Sequence, residues 1–153
     1  MRALVSGALA AAAVTVVASL ATRRASGSSA AALNATSHFL WGERAARRDD
    51  YSAKYTATGF VTNFAASVFW ALFYEALGRR RRRGPARALR DGTLVSALAY
   101  VVDYHVVPKR LTPGFELRLP RAALCAVYAA LALGLSLRDL AAGLPPRRGP
   151  ASR

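Results

Sequence analysis

The sequence contains few residues from which a catalytic site or a disulfide bond could be built. Its single cysteine, Cys125, has no second thiol for an internal disulfide, and one thiolate does not make a metal cage alone. The only two histidines, His38 and His105, occur with no spacing that would enforce metal or haem binding. We therefore predict that the protein has no metal site and no cofactor.

Acidic residues are also scarce: 8 Asp and Glu stand against 22 Lys and Arg, for a net charge of +14. In a soluble protein such an excess would favour a nucleic-acid partner. Here the arginines flank apolar blocks, where basic residues set membrane topology and contact anionic headgroups. The charge therefore predicts membrane lipids, and not nucleic acid, as its partner.

Motifs that mark common enzyme classes are missing. The chain has no GxGxxG, P-loop, HExxH, paired CxxC or GxSxG pattern. It also lacks paired carboxylates at matching depth and a nucleophile placed beside a base. We therefore predict a protein without enzymatic activity.

Hydrophobic residues, by contrast, are abundant, at 54% of the chain against 20% charged residues. They gather in four blocks, and an apolar helix of about 20 residues crosses the roughly 30 Å hydrocarbon layer. The sequence predicts an all-α integral membrane bundle with one domain over residues 1–140. Its four predicted transmembrane spans cover residues 3–21, 59–77, 93–107 and 122–137.

The first block has two interpretations. Arg2 precedes it, Arg23 and Arg24 follow it, and it is longer than the apolar core of a usual signal peptide, which favours a membrane anchor. The alternative is a cleaved signal peptide, because Ser19 and Ala21 are small residues at suitable cleavage positions. Small or hydroxylated side chains also share one helical face, which favours close helix contacts in lipid: Ala8, Ala12, Thr15 and Ser19.

Residues 26–42, SGSSAAALNATSHFLWG, are apolar but contain too few large side chains to cross a membrane alone. We expect an interfacial or re-entrant segment, with His38 in the interface and Trp41 as an anchor at headgroup depth. A full crossing is the alternative. It would give five spans and place the N-terminus outside, whereas four spans place the N-terminus inside.

Five consecutive arginines follow the second block. A run of this kind resists translocation, so we assign it to the cytoplasmic side of the membrane. There its guanidinium groups are expected to meet anionic lipid headgroups. The members of this basic run are Arg79, Arg80, Arg81, Arg82 and Arg83.

The third block opens with a capping signal at Asp91, Gly92 and Thr93, which predicts that its helix starts there. The block ends before Pro108. Residues 141–153 are rich in proline and arginine and are expected to form a disordered cytoplasmic tail.

Polar residues inside the apolar blocks are the candidate functional residues. Helical spacing places Asn63, Ser67 and Tyr74 on one face of the second block. It places Ser96, Tyr100 and Asp103 on one face of the third block, able to meet the Asn63 and Ser67 stripe. His105 points away from Asp103 on a regular helix.

Two roles are open for this predicted intramembrane polar cluster, namely interhelical hydrogen bonds and a path for protons or small cations. Its members are Asn63, Ser67, Tyr74, Ser96, Tyr100, Asp103 and His105.

The segment PKRLTPGFELRLP, residues 108–120, contains three prolines that exclude a long helix. Lys109 and Arg110 are expected to meet lipid phosphates, as is the basic run described above. Either a re-entrant turn or an ordinary anchoring loop fits this composition.

Three stretches, SHFLWG, NFAASVFWALFYEALG and VDYHVVPKRLTPGFE, give the chain a layout that resembles uncharacterised families of short multi-span inner-membrane proteins of bacteria. The resemblance covers roughly residues 30–120. It implies a bacterial cytoplasmic membrane and brings no assigned activity or catalytic residue. The heavy use of alanine and arginine is also typical of a GC-rich bacterial genome.

These observations predict a structural or interaction component of the envelope that joins a partner membrane protein or a second copy through its small-residue faces. The alternative is a small transporter or channel subunit that conducts protons or small cations along the polar stripe.

Overall fold

The computed structural model describes residues 1–78 and 84–143, and within these ranges it is helical with no strand. The prediction of an all-α fold is confirmed. Four long helices form the bundle: α1 (Arg2–Ser26), α5 (Tyr55–Leu77), α6 (Pro85–Val101) and α7 (Arg121–Ala142).

Shorter elements fill the two connections at one end of the bundle. Between α1 and α5 lie α2 (Ala31–Thr36), α3 (His38–Trp41) and α4 (Glu43–Ala46). The helix α6 continues into a π-helical turn, Val102–Val106, which stops before Pro108. Residues 107–120, here called the strap, contain two 3₁₀ turns, Lys109–Leu111 and Phe115–Leu117, and lead into α7.

Three helices of the described chain, α1, α5 and α7, are long and apolar enough to cross a membrane. Helix α6 has 17 residues, and its first two turns include Arg87, Arg90 and Asp91. Helix α6 is therefore shorter and less apolar than the other three. The structure establishes three helices able to cross a membrane, whereas the sequence predicts four spans.

Contacts between distant residues define an antiparallel arrangement. Ser6, near the start of α1, bonds to Glu75, near the end of α5. Ser96 of α6 bonds to Tyr128 of α7, and Ser136 of α7 bonds to Ala88 of α6, so these two helices run in opposite directions. Helix α1 packs along both α5 and α7, whereas α6 packs mainly against α7. This places α2 and the strap at the same end of the bundle.

The helices bury many small and polar side chains and expose many large apolar ones. In α5 the buried residues include Gly59, Asn63 and Ser67, while Phe69 and Leu72 are about half exposed, at 50% and 55%. A water-soluble protein avoids large contiguous apolar surfaces of this kind. The distribution is typical of helices whose outer faces meet lipid tails.

Small residues bring α1 and α7 into close contact within the chain. A Cβ atom at Gly134 of α7 would overlap the backbone of Ala10 in α1, and Ala10, Ala11 and Ala18 are buried. Of the predicted small face, Ala12 is exposed. The close helix contacts that small residues permit are thus made between helices of one chain.

The predicted start of the third helix is wrong. Helix α6 begins at Pro85, with Gly84 as its N-cap, because proline has no N–H to lose in a first turn and its fixed φ suits that position. Asp91 lies inside the helix, 2% exposed, and pairs with Arg90 at 2.9 Å. Its carboxylate therefore serves in an ion pair and not as a cap.

The basic run predicted on the cytoplasmic side lies outside the described residues, so its contact with lipid headgroups stays a prediction. This applies to each of its five members: Arg79, Arg80, Arg81, Arg82 and Arg83.

The predicted tail, residues 141–153, lies outside the described residues from residue 144 onward. Helix α7 extends to Ala142. Residues 141 and 142 are therefore helical, and the helix runs five residues beyond the predicted end of the fourth span.

Candidate functional site

A cavity of about 280 Å³ lies between α1, α5, α7 and the strap. Its wall is mostly apolar and includes the buried side chains of Trp70, Phe115 and Val127, while Ala66 and Leu111 at its rim are exposed. Polar side chains also reach it: Thr36, Thr62, Asn63, Ser67, Asp103, Thr112 and Tyr128.

Asp103 provides the carboxylate of the cavity. It lies in the π-helical turn, where Val107 N–H donates to Val102 O over 3.0 Å, five residues back. The hydroxyl of Tyr128 donates to Asp103 Oδ2 over 2.6 Å. Within residues 1–78 and 84–143, no donor reaches the other carboxylate oxygen and no basic side chain pairs with Asp103.

A second carboxylate, Glu116, lies in the strap near Asp103 and Tyr104. Thr112 donates to Glu116 Oε1, while Glu116 Oε2 and the Tyr104 hydroxyl are buried atoms with no hydrogen-bond partner in the described chain. The rings of Tyr104 and Tyr128 are 6.0 Å apart. We call Asp103, Tyr104, Glu116 and Tyr128 the acid–tyrosine cluster.

Backbone contacts hold the strap against the short helices. Gly114 has a φ of 82°, a conformation that favours glycine, and its α-carbon faces Ala35 O so closely that a Cβ would overlap it. His38 places Nδ1 2.9 Å from Ala35 O and Nε2 3.4 Å from Lys109 O. Arg118 donates to Ala46 O over 3.2 Å. The strap is thus attached at several points along its length.

Asn34 in α2 is the hydrogen-bonding centre of this end of the bundle. Its side chain is fully buried, and Nδ2 donates to Arg48 O over 3.0 Å and to Asp50 O over 2.9 Å. Oδ1 accepts a bond from the Thr56 hydroxyl over 2.7 Å. A hydrogen bond from Arg48 lowers the pKa of the exposed Asp50 carboxyl. The amide of Asn34 thus joins α2, the segment after α4 and the start of α5.

A second polar group occupies the opposite end of the bundle. Arg138 of α7 lies 3.1 Å from Glu75 Oε1 and 3.1 Å from Asp139 Oδ1. Ser6 donates to Glu75 over 2.8 Å, and the Tyr74 hydroxyl donates to Asp139 over 2.8 Å. These bonds join α1, α5 and α7, and they place Tyr74 away from the cavity.

The structure brings together only part of the predicted intramembrane cluster. Asn63, Ser67 and Asp103 line the same cavity. Asn63 Nδ2 also donates to Ala11 O over 3.2 Å and to Thr15 Oγ1 over 3.1 Å, which links α5 to α1. Of the three residues predicted on one face of the third block, only Asp103 lines the cavity with Asn63 and Ser67.

The other cluster members lie elsewhere. Ser96 donates to Tyr128 O over 2.5 Å because α6 packs mainly on α7 and not on α5. Tyr100 is 38% exposed, and its ring lies 5.3 Å from that of Tyr128. His105 is exposed.

The residues predicted at the membrane interface lie near the end of the bundle that contains α2, α3, α4 and the strap. Trp41 is 41% exposed, and the Lys54 ammonium lies 4.2 Å from its ring centroid. Lys109 and Arg110 are exposed on the strap.

Sequence reasoning missed Asn34 and Glu116 as site residues. Asn34 lies within residues 26–42, the segment predicted to be interfacial, and the position of its amide in an alanine-rich run was the available signal of burial. Glu116 lies in a proline-rich loop, where no periodic pattern points to burial.

Comparisons with known proteins gave no match for this chain. No protein-family model, no curated protein and no solved structure matches it. Among the described residues, no three or more His, Cys, Asp or Glu side chains form a group that could hold a metal ion. The site's own geometry therefore carries the functional argument.

Proposed function

We propose that this protein is a multi-pass protein of the bacterial cytoplasmic membrane that binds a small, largely apolar molecule in its cavity. The cavity itself is the observation that carries the proposal. Ligand sites are concave, mainly apolar and equipped with a few polar groups, and this cavity combines Trp70, Phe115 and Val127 with Asn63 and Asp103.

The membrane placement rests on four crossings. Beyond the charged first two turns of α6, residues 92–106 extend over about 22 Å at the helical rise. This apolar stretch is shorter than the hydrocarbon layer, and local thinning of the bilayer and burial against α7 accommodate the difference. With the basic run at residues 79–83 on the cytoplasmic side, as basic runs prefer, the cavity and the strap lie toward the opposite side.

A binding site is better supported than a continuous proton or cation path. Between Ser67 and Tyr74, the buried residues of α5 are Trp70 and Ala71. These apolar side chains separate the cavity from the polar group around Glu75 and Arg138. An intramembrane path needs a chain of polar groups, and here two polar regions are divided by an apolar layer.

The proposal predicts that blocking the rim of the cavity abolishes ligand binding. Ala66 lies on the rim, whereas its neighbour Ala65 is exposed on α5 and does not line the cavity. In a Trp41→Phe background, Trp70 is the only tryptophan and reports directly on the cavity wall. Octanol, octylamine and octanoate are titrated into the purified protein in neutral detergent, and Trp70 fluorescence is recorded.

We expect at least one octyl compound to change Trp70 fluorescence saturably. Ala66→Phe should weaken that binding by at least about tenfold, or about 1.4 kcal/mol, whereas Ala65→Phe should leave it unchanged. Equal effects of the two variants, or no saturable change with any of the three compounds, would exclude the cavity as a binding site.

A second candidate, an interaction component of the envelope, is favoured by a groove on the outer side of α6 and α7. It is lined by Ala97, Ala129 and Ala132, with Thr93 and the exposed Cys125. Small residues allow a second helix to approach closely in lipid. We propose that a second copy of this chain is the partner.

The native cysteine tests this interface directly. If two copies meet through the groove, oxidation of membranes should link Cys125 to Cys125 and produce a covalent dimer on a non-reducing gel. In a Cys125→Ala background, Ala65→Cys on the exposed side of α5 should stay monomeric. Dimer formation by both chains, or by neither, would count against this groove as the contact.

A further inference from the structure

The acidic residues of this chain differ in whether a basic side chain pairs with them. All 8 acidic residues fall within the described ranges. Most of them lie within 4 Å of an arginine nitrogen: Glu43, Asp49, Asp50, Glu75, Asp91 and Asp139. The two acids without a basic partner in residues 1–78 and 84–143 are Asp103 and Glu116. Both belong to the acid–tyrosine cluster.

The missing partners are not explained by a shortage of cations nearby. The strap contains Lys109, Arg110 and Arg118. Arg118 reaches Asp49 instead, and Arg110 Nε lies 3.5 Å from Phe39 O. Among the described residues, the fold directs the neighbouring arginines to other partners. It leaves both Asp103, which lines the cavity, and Glu116, which does not, without a basic partner, an arrangement that is costly in a low-dielectric site.

The surroundings of the two acids suit an organic cation. Tyr128 binds only one oxygen of Asp103, so the other oxygen is available to a donor in the cavity. The Tyr128 ring lines the cavity beside Asp103, and aromatic faces attract cations. Glu116 adds a second negative charge from the strap.

The rest of the cavity favours an apolar tail. Val14, Trp70 and Leu131 form part of its apolar wall. A small hydrated metal ion needs several oxygen ligands, and no group of three metal-ligating side chains occurs in the described chain. A headgroup with one positive charge and an attached apolar chain matches both parts of the wall.

We infer that the cavity binds a lipophilic amine, with its ammonium group at Asp103 and its apolar chain against Trp70. This inference rests on the proposed function and specifies the ligand class. The ammonium donates to the free oxygen of Asp103, and Glu116 strengthens the attraction from its position in the strap. The exposed rim at Ala66 and Leu111 admits the ligand.

The three octyl compounds separate charge from chain length, because they share one tail and differ in the headgroup. On the Trp41→Phe protein at pH 7, we expect octylamine to bind at least about tenfold more tightly than octanol, and octanoate to bind most weakly. The Ala66→Phe protein gives the background from the micelle.

Asp103→Asn should reduce the affinity for octylamine by at least about tenfold and so abolish its preference over octanol. Glu116→Gln should reduce the affinity for octylamine by a smaller factor. Glu43→Gln, which removes an exposed acid that pairs with Arg47 and does not line the cavity, is the matched control and should have no effect.

The outcomes are distinguishable. If no octyl compound binds, the proposed function fails, and the inference fails with it. If octanol binds as tightly as octylamine, or if Asp103→Asn keeps the preference for the amine, the inference is overturned while the binding function stands. The headgroup comparison needs no change at Asp103, so it remains decisive even if the Asp103→Asn chain does not fold.

Discussion

Replacing Gly59 with alanine is expected to destabilise the bundle by about 3 kcal/mol, the upper range for overpacking a core. Gly59 is the point where α5 crosses α2, and a Cβ there would overlap the carbonyl oxygen and carbon of Leu33. Both atoms belong to the backbone of a helix whose residues are all buried. The strain therefore cannot be relieved by turning a side chain.

The expected loss runs against helix propensity, because alanine stabilises a helix interior by about 1 kcal/mol relative to glycine. Thermal unfolding in detergent, followed by circular dichroism, measures the change. Gly84→Ala is the matched control, because a Cβ at Gly84 would meet no atom of the described residues within 4 Å and its φ is −73°. As an N-cap change it should cost about 0.5 kcal/mol. Equal unfolding temperatures for the two variants would contradict the close contact of α5 with α2.

Replacing Asn34 with leucine should also cost about 3 kcal/mol, because it removes three hydrogen bonds worth about 1 kcal/mol each. Leucine has the same branched arrangement of heavy atoms as asparagine, so the change mainly removes polarity. It leaves the carbonyls of Arg48 and Asp50 and the hydroxyl of Thr56 without the Asn34 amide. The segment after α4 should then detach from α2.

Limited digestion with trypsin measures that detachment, since Arg47 and Arg48 are exposed cleavage sites in the segment. We expect the Asn34→Leu chain to be cut there much faster than the unaltered protein, at temperatures below unfolding. Ser29→Ala is the control: it removes a solvent-exposed 2.8 Å bond between Ser29 and Tyr51 that joins the same two regions. It should leave the rate of digestion unchanged and should change the free energy of unfolding by no more than about 0.5 kcal/mol. Similar digestion of all three chains would show that Asn34 does not hold the segment.

Local patterns predicted the helices more reliably than their ends. The predicted second span, residues 59–77, lies within α5, Tyr55–Leu77, because a long apolar run has no competing structure in lipid. The start of α6 was missed because Asp91 has the chemistry of a cap and equally that of an ion-pair partner. Only the positions of Arg87 and Arg90 beside it decide between the two.

The candidate site was predictable in part for the same reason. Helical periodicity places Asn63, Ser67 and Tyr74 on one face of α5, and all three are buried. Periodicity states which face is polar but not which neighbour it meets. Tyr74 bonds to Asp139, 65 residues away, and so leaves the cavity to Asn63 and Ser67.

The amino-acid order by itself determined an all-α chain with long apolar helices and basic flanks. Hydropathy and helical spacing act over a few turns, so they can be read without knowing what lies opposite. Tertiary packing alone decided that α2 is buried, that Asp103 meets Tyr128, and that no arginine of the described chain pairs with Asp103 or Glu116 beside the cavity. These features depend on which distant side chains share a space, and that depends on how closely the backbones approach.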